Sequence, residues 1–275
     1  MPEGDTVFLA CHRLHEALAG EVLVRGELRH PRLAEVDLAG RTVREVRPAG
    51  KHLLIRFDGD RTLHSHLRMD GAWHVYSPGA RWRRPGHQAR AILATEQRSA
   101  VGFNLHDLHL LRTGDERRLI GHLGPDLLSP DWDESAALEA VRRLTAEPDR
   151  EIGLALLDQS VVAGVGNLYK TEVCFLLGST PWTPVSEVDA AEAVRLSREL
   201  LLRNAWHPEQ STTGDTRRGR THWIYGRRTC LRCGGAVRRG VQGHGIEERV
   251  AYHCPNCQRG AQDERRASAR RRSSG

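Results

Sequence analysis

Apolar residues recur at helical spacing over residues 5–19, where Val7, Ala10, Leu14 and Leu18 share one face. From residue 21 to residue 112 that period gives way to short strand-type runs, among them Val22-Leu23-Val24 and Ala91-Ile92-Leu93-Ala94. Leu53, Ile55 and Phe57 alternate with less apolar positions, as in a strand with one buried face. Gly40, Gly50, Gly59, Gly71 and Gly79 punctuate these runs, which predicts an antiparallel sandwich or barrel. Near Pro130 the helical period returns. Leu138, Val141 and Leu144 mark one helix, ended by Pro148, and residues 152–159 form a second. The turn Gly164-Val165-Gly166 leads into a third helix, from Asn167 through Leu177. The last opens at the capping-box-like Ser186-Glu187-Val188-Asp189 and runs to about Asn204. Residues 211–222, rich in Thr, Gly and Arg, read as a mobile loop, with strand-like runs at 236–241 and 250–253 beyond it.

Composition narrows the class. A chain of 275 residues suits two compact domains with an appendage, and 39% hydrophobic content is enough for real cores. A net charge of +6 and a pI near 9.3 favour an acidic partner, of which nucleic acid is the commonest for a basic protein. Arginine dominates: Lys51 and Lys170 are the only lysines, and lysine is the cation whose pKa shifts readily. The first residues are polar and acidic, and no run of 18 apolar residues occurs, so the expectation is a soluble cytoplasmic protein without a membrane partner. Thiols there stay reduced. Cys230-Leu-Arg-Cys233 and Cys254-Pro-Asn-Cys257 form two C-x2-C pairs 20 residues apart, which predicts four thiolates around one structural zinc ion. Cys11 and Cys174 stand alone within apolar helical patterns and read as small buried residues.

Several short strings then converge, in order, along nearly the whole chain. Pro2-Glu3-Gly4, Gly50-Lys51-His52-Leu53-Leu54 and His66-Leu67-Arg68-Met69-Asp70-Gly71 lie in the amino-terminal half. The segment from Asp158 through Gly164-Val165-Gly166-Asn167 to Tyr169 lies in the middle. Tyr225-Gly226-Arg227 and Arg249 lead into the two cysteine pairs. In these strings the chain resembles the formamidopyrimidine-DNA glycosylase and endonuclease VIII family. The resemblance implies a multidomain α+β fold: an N-terminal β-sandwich with a leading helix (2–125), a helical helix–two-turns–helix domain (130–210), and a four-cysteine zinc-ribbon β-hairpin (222–260). Residues 261–275 would form a basic disordered tail.

The resemblance assigns catalysis to Pro2, Glu3 and Lys51. Removal of Met1 would expose the secondary amine of Pro2, whose pKa near 8 leaves a useful fraction neutral. Attack on the deoxyribose C1′ would expel a damaged base and leave an iminium, and Glu3 would move protons on and off the sugar. Lys51 would meet the lesion phosphate or assist proton transfer. Asn167 opens a helix whose free N–H groups favour a phosphate. Arg249 would grip the phosphate beside the lesion, with Arg238 and Arg239 as alternatives. Met69 would fill the hole left by a flipped-out nucleotide. The expected partner is damaged double-stranded DNA, and the expected state a monomer associated with the nucleoid.

Two departures matter. The family's second acidic residue is replaced by Thr6, and residues 101–112 lack the Arg-Arg-Phe-Gly string of the oxidised-guanine branch. The latter, with Pro-Glu-Gly at the start, favours the endonuclease VIII branch, oxidised pyrimidines and strand cleavage by β,δ-elimination. An oxidised-guanine enzyme of the same family and a non-catalytic zinc-ribbon DNA-binding protein are the alternatives.

Overall fold

The computed structural model describes residues 2–243, 245 and 248–261; the segment read as a basic tail lies, beyond Ala261, outside the described residues. The chain forms two compact units, Met1–His122 and Leu123–Gly275.

In the first unit, helix α1 (Gly4–Leu18) buries Val7, Cys11, Leu14 and Leu18, one row at helical spacing. Cys11 thus takes the central place that the periodicity assigned to Ala10, which packs at the margin. Two four-stranded antiparallel sheets enclose the same core. One has the order β1-β6-β7-β5, with β1 Arg25–Leu28, β5 Ala72–Tyr76, β6 Ala89–Ala94 and β7 Ser99–Phe103. The other has the order β2-β3-β4-β8, with β2 Val43–Ala49, β3 His52–Phe57, β4 Arg61–His66 and β8 Asp107–Arg112. Leu53, Ile55 and Phe57 of β3 face this core, as their alternation predicts. Leu54 is buried as well, so the outer face of that sheet is covered in part.

The run Val22-Leu23-Val24 is not a strand. Leu23 N–H donates to Arg41 O of one sheet's margin, whereas Val24 N–H donates to Ala94 O of the other. A segment crossing between sheets cannot sustain a ladder with either, so pairing begins at Arg25 and leaves Val22 and Val24 exposed. A short helix α2 (Arg117–Ile120) closes the unit.

The second unit is helical, with α3 (Glu134–Leu144), α4 (Ile152–Leu157), α5 (Asn167–Leu176) and α6 (Ala190–Asn204), followed by a hairpin of β9 (Arg238–Gln242) and β10 (Arg249–His253). Helix α5 is central: every residue from Asn167 to Phe175 is buried, against α4, α6 and β10. Three local expectations are corrected. Leu138 is 65% exposed, because α3 meets α6 through Ala140 and Leu144, where the small alanine permits close approach. The cap of α6 is Asp189, whose carboxylate accepts from Glu192 N–H at 2.9 Å; Ser186 and Glu187 form a separate 3-10 turn before it. The segment 211–222 is not a free loop: Ser211 and Thr212 are buried and bonded, for reasons given below.

Candidate active site and metal centre

Helix α1 and strand β2 run antiparallel. Gly20 N–H donates to Val43 O at 2.8 Å, and Val46 N–H donates to His15 Nδ1 at 3.2 Å, so the end of the helix is tied to the start of the strand. Fifteen helical residues span about 22 Å and seven extended ones about 23 Å. The helix start, with Pro2 and Glu3, therefore comes level with the β2–β3 turn that carries Lys51. That turn has two residues; Gly50 supplies the φ of +55° that its first corner needs, which places Lys51 at the tip. Glu3 is buried, as is Asp5, where the positive end of a helix favours carboxylates. Thr6 donates to Asp5 Oδ1 at 3.4 Å, which gives the departure at Thr6 a local place beside a buried carboxylate.

The same end of the unit carries the β4–β5 loop, because His52 pairs with His66 across the ladder. Leu67 is buried, Arg68 has a φ of +51° and bonds to Asp107, and Met69 stands 67% exposed at the apex. A Cβ on Gly71 would lie 2.5 Å from Leu67 O, so only glycine closes this loop. Pro2, Glu3, Lys51 and Met69 are thus gathered on one rim.

A histidine cluster behind that rim was not singled out in the sequence. His52 Nδ1 and His64 Nε2 are 2.8 Å apart, His66 and His122 pack on His52, and His109 packs on His64. Strand register brings His52, His64, His66 and His109 together, and His122 joins them from the turn after α2; His64-x-His66 on one strand face was a visible signal. Burial, with the neighbouring histidines, pushes His52 down to about 3. Burial, with His109 or Arg68 respectively, pushes His64 and His66 down to about 4, against partial compensation by Asp107. Since these values lie below the ordinary 6.5, the unfolded chain takes up protons first as pH falls. Their stabilisation is full above about pH 6.5 and is lost between there and about pH 4 for His64 and His66, and about pH 3 for His52. Between pH 7 and pH 5 the wild type is expected to lose on the order of 1–2 kcal/mol more than His64→Leu in denaturant titrations. Parallel losses in the two proteins would show that His64 titrates normally.

In the second unit, Gly164 has a φ of +112° and Gly166 caps α5, so Asn167 is its first residue. The Asn167 amide donates to Val250 O at 3.0 Å, and its own carbonyl is buried without a protein partner. This bond ties the helix N-terminus to the strand bearing Arg249, which is exposed. Arg238 and Arg239 pair with His253 and Tyr252, at the far end of the hairpin. Of the three arginines, Arg249 is therefore the one held next to Asn167.

Three supporting residues had no clear sequence signal as a group. Lys170 is fully buried and donates to Gln242 Oε1 at 3.1 Å, while Gln242 donates to Glu151 and to Pro181 O, each at 2.7 Å. Gln242 lies across the ladder from Arg249, so this network anchors the hairpin where Arg249 stands. Glu172 is fully buried; its carboxylate accepts from the backbone N–H groups of Trp223, Ile224 and Tyr225 at 2.7–2.9 Å and from the Thr212 hydroxyl. That anchor orders the end of the segment read as mobile.

The four paired cysteines converge. Their sulfurs all lie within 4.8 Å of one another, with Cys233–Cys254 at 3.5 Å and Cys230–Cys257 at 4.0 Å. Four sulfurs about 2.3 Å from one tetrahedral ion would be about 3.8 Å apart, so the set fits a closed metal site with no position for water. Cys11 and Cys174 are buried and separate from it. No helix among the described residues is long and apolar enough to cross a membrane.

A sandwich with a leading helix, followed by a helical unit with a cysteine-cluster hairpin, defines a class of DNA-repair fold. Residues 1–121 match the family model "Formamidopyrimidine-DNA glycosylase N-terminal domain", and residues 123–216 match "Formamidopyrimidine-DNA glycosylase H2TH domain". The chain belongs to this formamidopyrimidine-DNA glycosylase and endonuclease VIII family, in its endonuclease VIII branch. It is 56% identical to "Probable endonuclease 8 2" of Streptomyces coelicolor over 266 residues, covering 94% of this chain and 95% of that one. It is 44% identical to "DNA-(apurinic or apyrimidinic site) lyase Nei2" of Mycolicibacterium smegmatis, covering 94% and 99%. A solved structure of Lactococcus lactis Fpg with DNA containing an abasic site shares the fold, with a TM-score of 0.73 at 22% identity and coverage of 94% and 100%.

Proposed function

We propose that this protein, a bifunctional DNA glycosylase and abasic-site lyase of base excision repair, removes oxidised pyrimidines from damaged duplex DNA through the amine of Pro2. The observation that carries the reading is the antiparallel run of α1 and β2, which brings Pro2 and Glu3 level with Lys51. With Met1 removed, the Pro2 nitrogen attacks C1′ of the damaged nucleotide; the C1′–base bond breaks and the base leaves with a proton. The C1′–O4′ bond then opens as Glu3 protonates O4′, and the iminium so formed between Pro2 and C1′ acidifies the neighbouring C2′–H. Loss of that proton expels the 3′ phosphate, and a second elimination expels the 5′ phosphate. Glu3 relays protons at the sugar, Lys51 holds the lesion phosphate, and Met69 occupies the vacated stack. Asn167 and Arg249, held side by side through Val250, grip the backbone. The pyrimidine preference is supported by residues 101–112, which lack the Arg-Arg-Phe-Gly string of the oxidised-guanine branch. We further propose that the protein works as a monomer, in the cytoplasm with the nucleoid.

Borohydride trapping on an abasic-site duplex tests the chemistry. A covalent adduct, with faster excision of an oxidised pyrimidine than of an oxidised guanine, is expected. No adduct from protein shown to lack Met1 would favour the binding-only alternative, and the reverse lesion order would favour the oxidised-guanine reading.

The cysteine cluster is assigned one structural zinc ion, which would brace the hairpin and hence Arg249. Chelation is expected to lower both thermal stability and DNA affinity, with recovery on adding zinc. Chelated protein that keeps its melting temperature and affinity would remove zinc from that role.

A further inference from the structure

Some arginines of the described residues are accounted for by carboxylates. On α3 and α6, for example, Arg142, Arg143, Arg195 and Arg203 all pair with glutamates of their own helix. The loop between β5 and β6 concentrates arginines without an acid among them. Residues 77–88 hold Arg81, Arg83 and Arg84 and no acidic residue, and among the described residues neither Arg81 nor Arg83 has an ion-pair partner. Both are exposed.

This loop is nevertheless built. Trp82 packs edge-on against Phe103 with ring centroids 5.9 Å apart, and Arg83 N–H donates to the Tyr76 hydroxyl at 3.1 Å. Arg84 Nη1 donates to Asp70 O at 2.7 Å, which fastens the loop to the residue that follows Met69. The loop thus presents two exposed guanidinium groups without an ion-pair partner among the described residues, and Arg84 fastens it next to the exposed Met69. Residues 80–86 line an open hollow of about 580 Å³ there. Such an arrangement suits a polyanion on which Met69 also acts.

The sheet topology says which part of that polyanion. Lys51 lies on a turn of the β2-β3-β4-β8 sheet, whereas the arginine loop joins two strands of the other sheet. Met69 sits on the connection that crosses between them, from β4 to β5. Packed sheets are about 10 Å apart, and a wedge entering a duplex from the minor groove has one backbone on each side. We propose that Arg81 and Arg83 grip phosphates of the undamaged strand, opposite the extruded nucleotide, while Lys51 holds the damaged strand. This rests on the placement of Lys51 and Met69 in the functional reading above.

The test uses the full-length, metal-loaded protein and its Arg81→Ala/Arg83→Ala variant. Each binds a duplex bearing a tetrahydrofuran abasic analogue, and the same damaged strand alone, over a range of salt. For the duplex the variant is expected to bind on the order of tenfold more weakly at low salt, with a log K against log salt slope shallower by about 2. For the single strand the loss is expected to be about twofold or less. Neutral methylphosphonates opposite the analogue should weaken the wild type but add little to the variant's loss. Equal losses on duplex and single strand would place the contacts on the damaged strand and overturn the proposal. An unchanged salt slope would overturn it too, leaving a solvated loop. Binding to this analogue needs no covalent step, so a failed borohydride adduct leaves the test intact, and a failed test leaves the adduct chemistry intact.

Discussion

A chain that keeps one residue ahead of Pro2 is expected to lose base removal, strand cleavage and the borohydride adduct together. The attacking group in the proposed mechanism is a secondary amine, and acylation turns it into an amide whose lone pair is delocalised into the carbonyl. An amide nitrogen neither attacks C1′ nor forms an iminium, so the loss should be on the order of 10³-fold or more. The buried face of α1 begins only at Gly4, so melting temperature and affinity for an abasic analogue should change little. Pro2→Gly behaves differently, since it retains a terminal amine with a pKa near 8 and should show a weaker adduct rather than none. An extended chain that still forms the adduct at the wild-type rate would move the nucleophile to another amine, with Lys51 the first to examine.

Glu172→Ala is expected to cost more stability than any exposed substitution in the second unit. Four donors converge on this carboxylate, which is fully buried on a helix that is itself buried all round. Its removal leaves three backbone N–H groups unsatisfied, each at about 1 kcal/mol or more, while the Thr212 hydroxyl keeps Thr221 O as acceptor, so a loss of at least about 3 kcal/mol follows. The chain just beyond these donors carries Cys230 and Cys233, so their thiols should also become easier to modify. Thr212→Val removes one donor and leaves the other three bonds in place. It should fold, at a cost of about 1 kcal/mol, and so reads the network even where the alanine variant does not accumulate. Denaturant midpoints within 0.5 kcal/mol of wild type for both variants, a bound of roughly the size seen at neutral surface sites, would contradict the anchor.

The features legible in advance have causes acting over a few residues. Cys230, Cys233, Cys254 and Cys257 could be recognised because each C-x2-C pair places two thiols on one turn of chain, and their convergence is then imposed by metal chemistry. Helix α1 was visible because Val7, Leu14 and Leu18 must face one way in any helix. Gly50 was visible as a break between strand runs because turns there need a positive φ that glycine adopts at no steric cost. The family strings added an order of parts that periodicity alone could not supply.

What the sequence left open depends on neighbours distant along the chain. Leu138 had the apolar character of a core residue, and only the approach of α6 decided that Ala140 and Leu144 would be covered instead. Val22 and Val24 had strand propensity, but propensity cannot say that successive N–H groups will be claimed by different sheets. The assembly of His52, His64 and His66 required the β3–β4 register, which a slip of one residue would undo. Arg249 could be separated from Arg238 and Arg239 only once Asn167 was seen to bond Val250. By itself, then, the sequence determined most of the elements, such as α1 and the β2–β3 turn, and the metal-binding cysteine pairs, because propensity, turn geometry and ligand spacing are local. Only the tertiary structure decided which faces are buried and which side chains meet, because those follow from registers and packing set between distant segments.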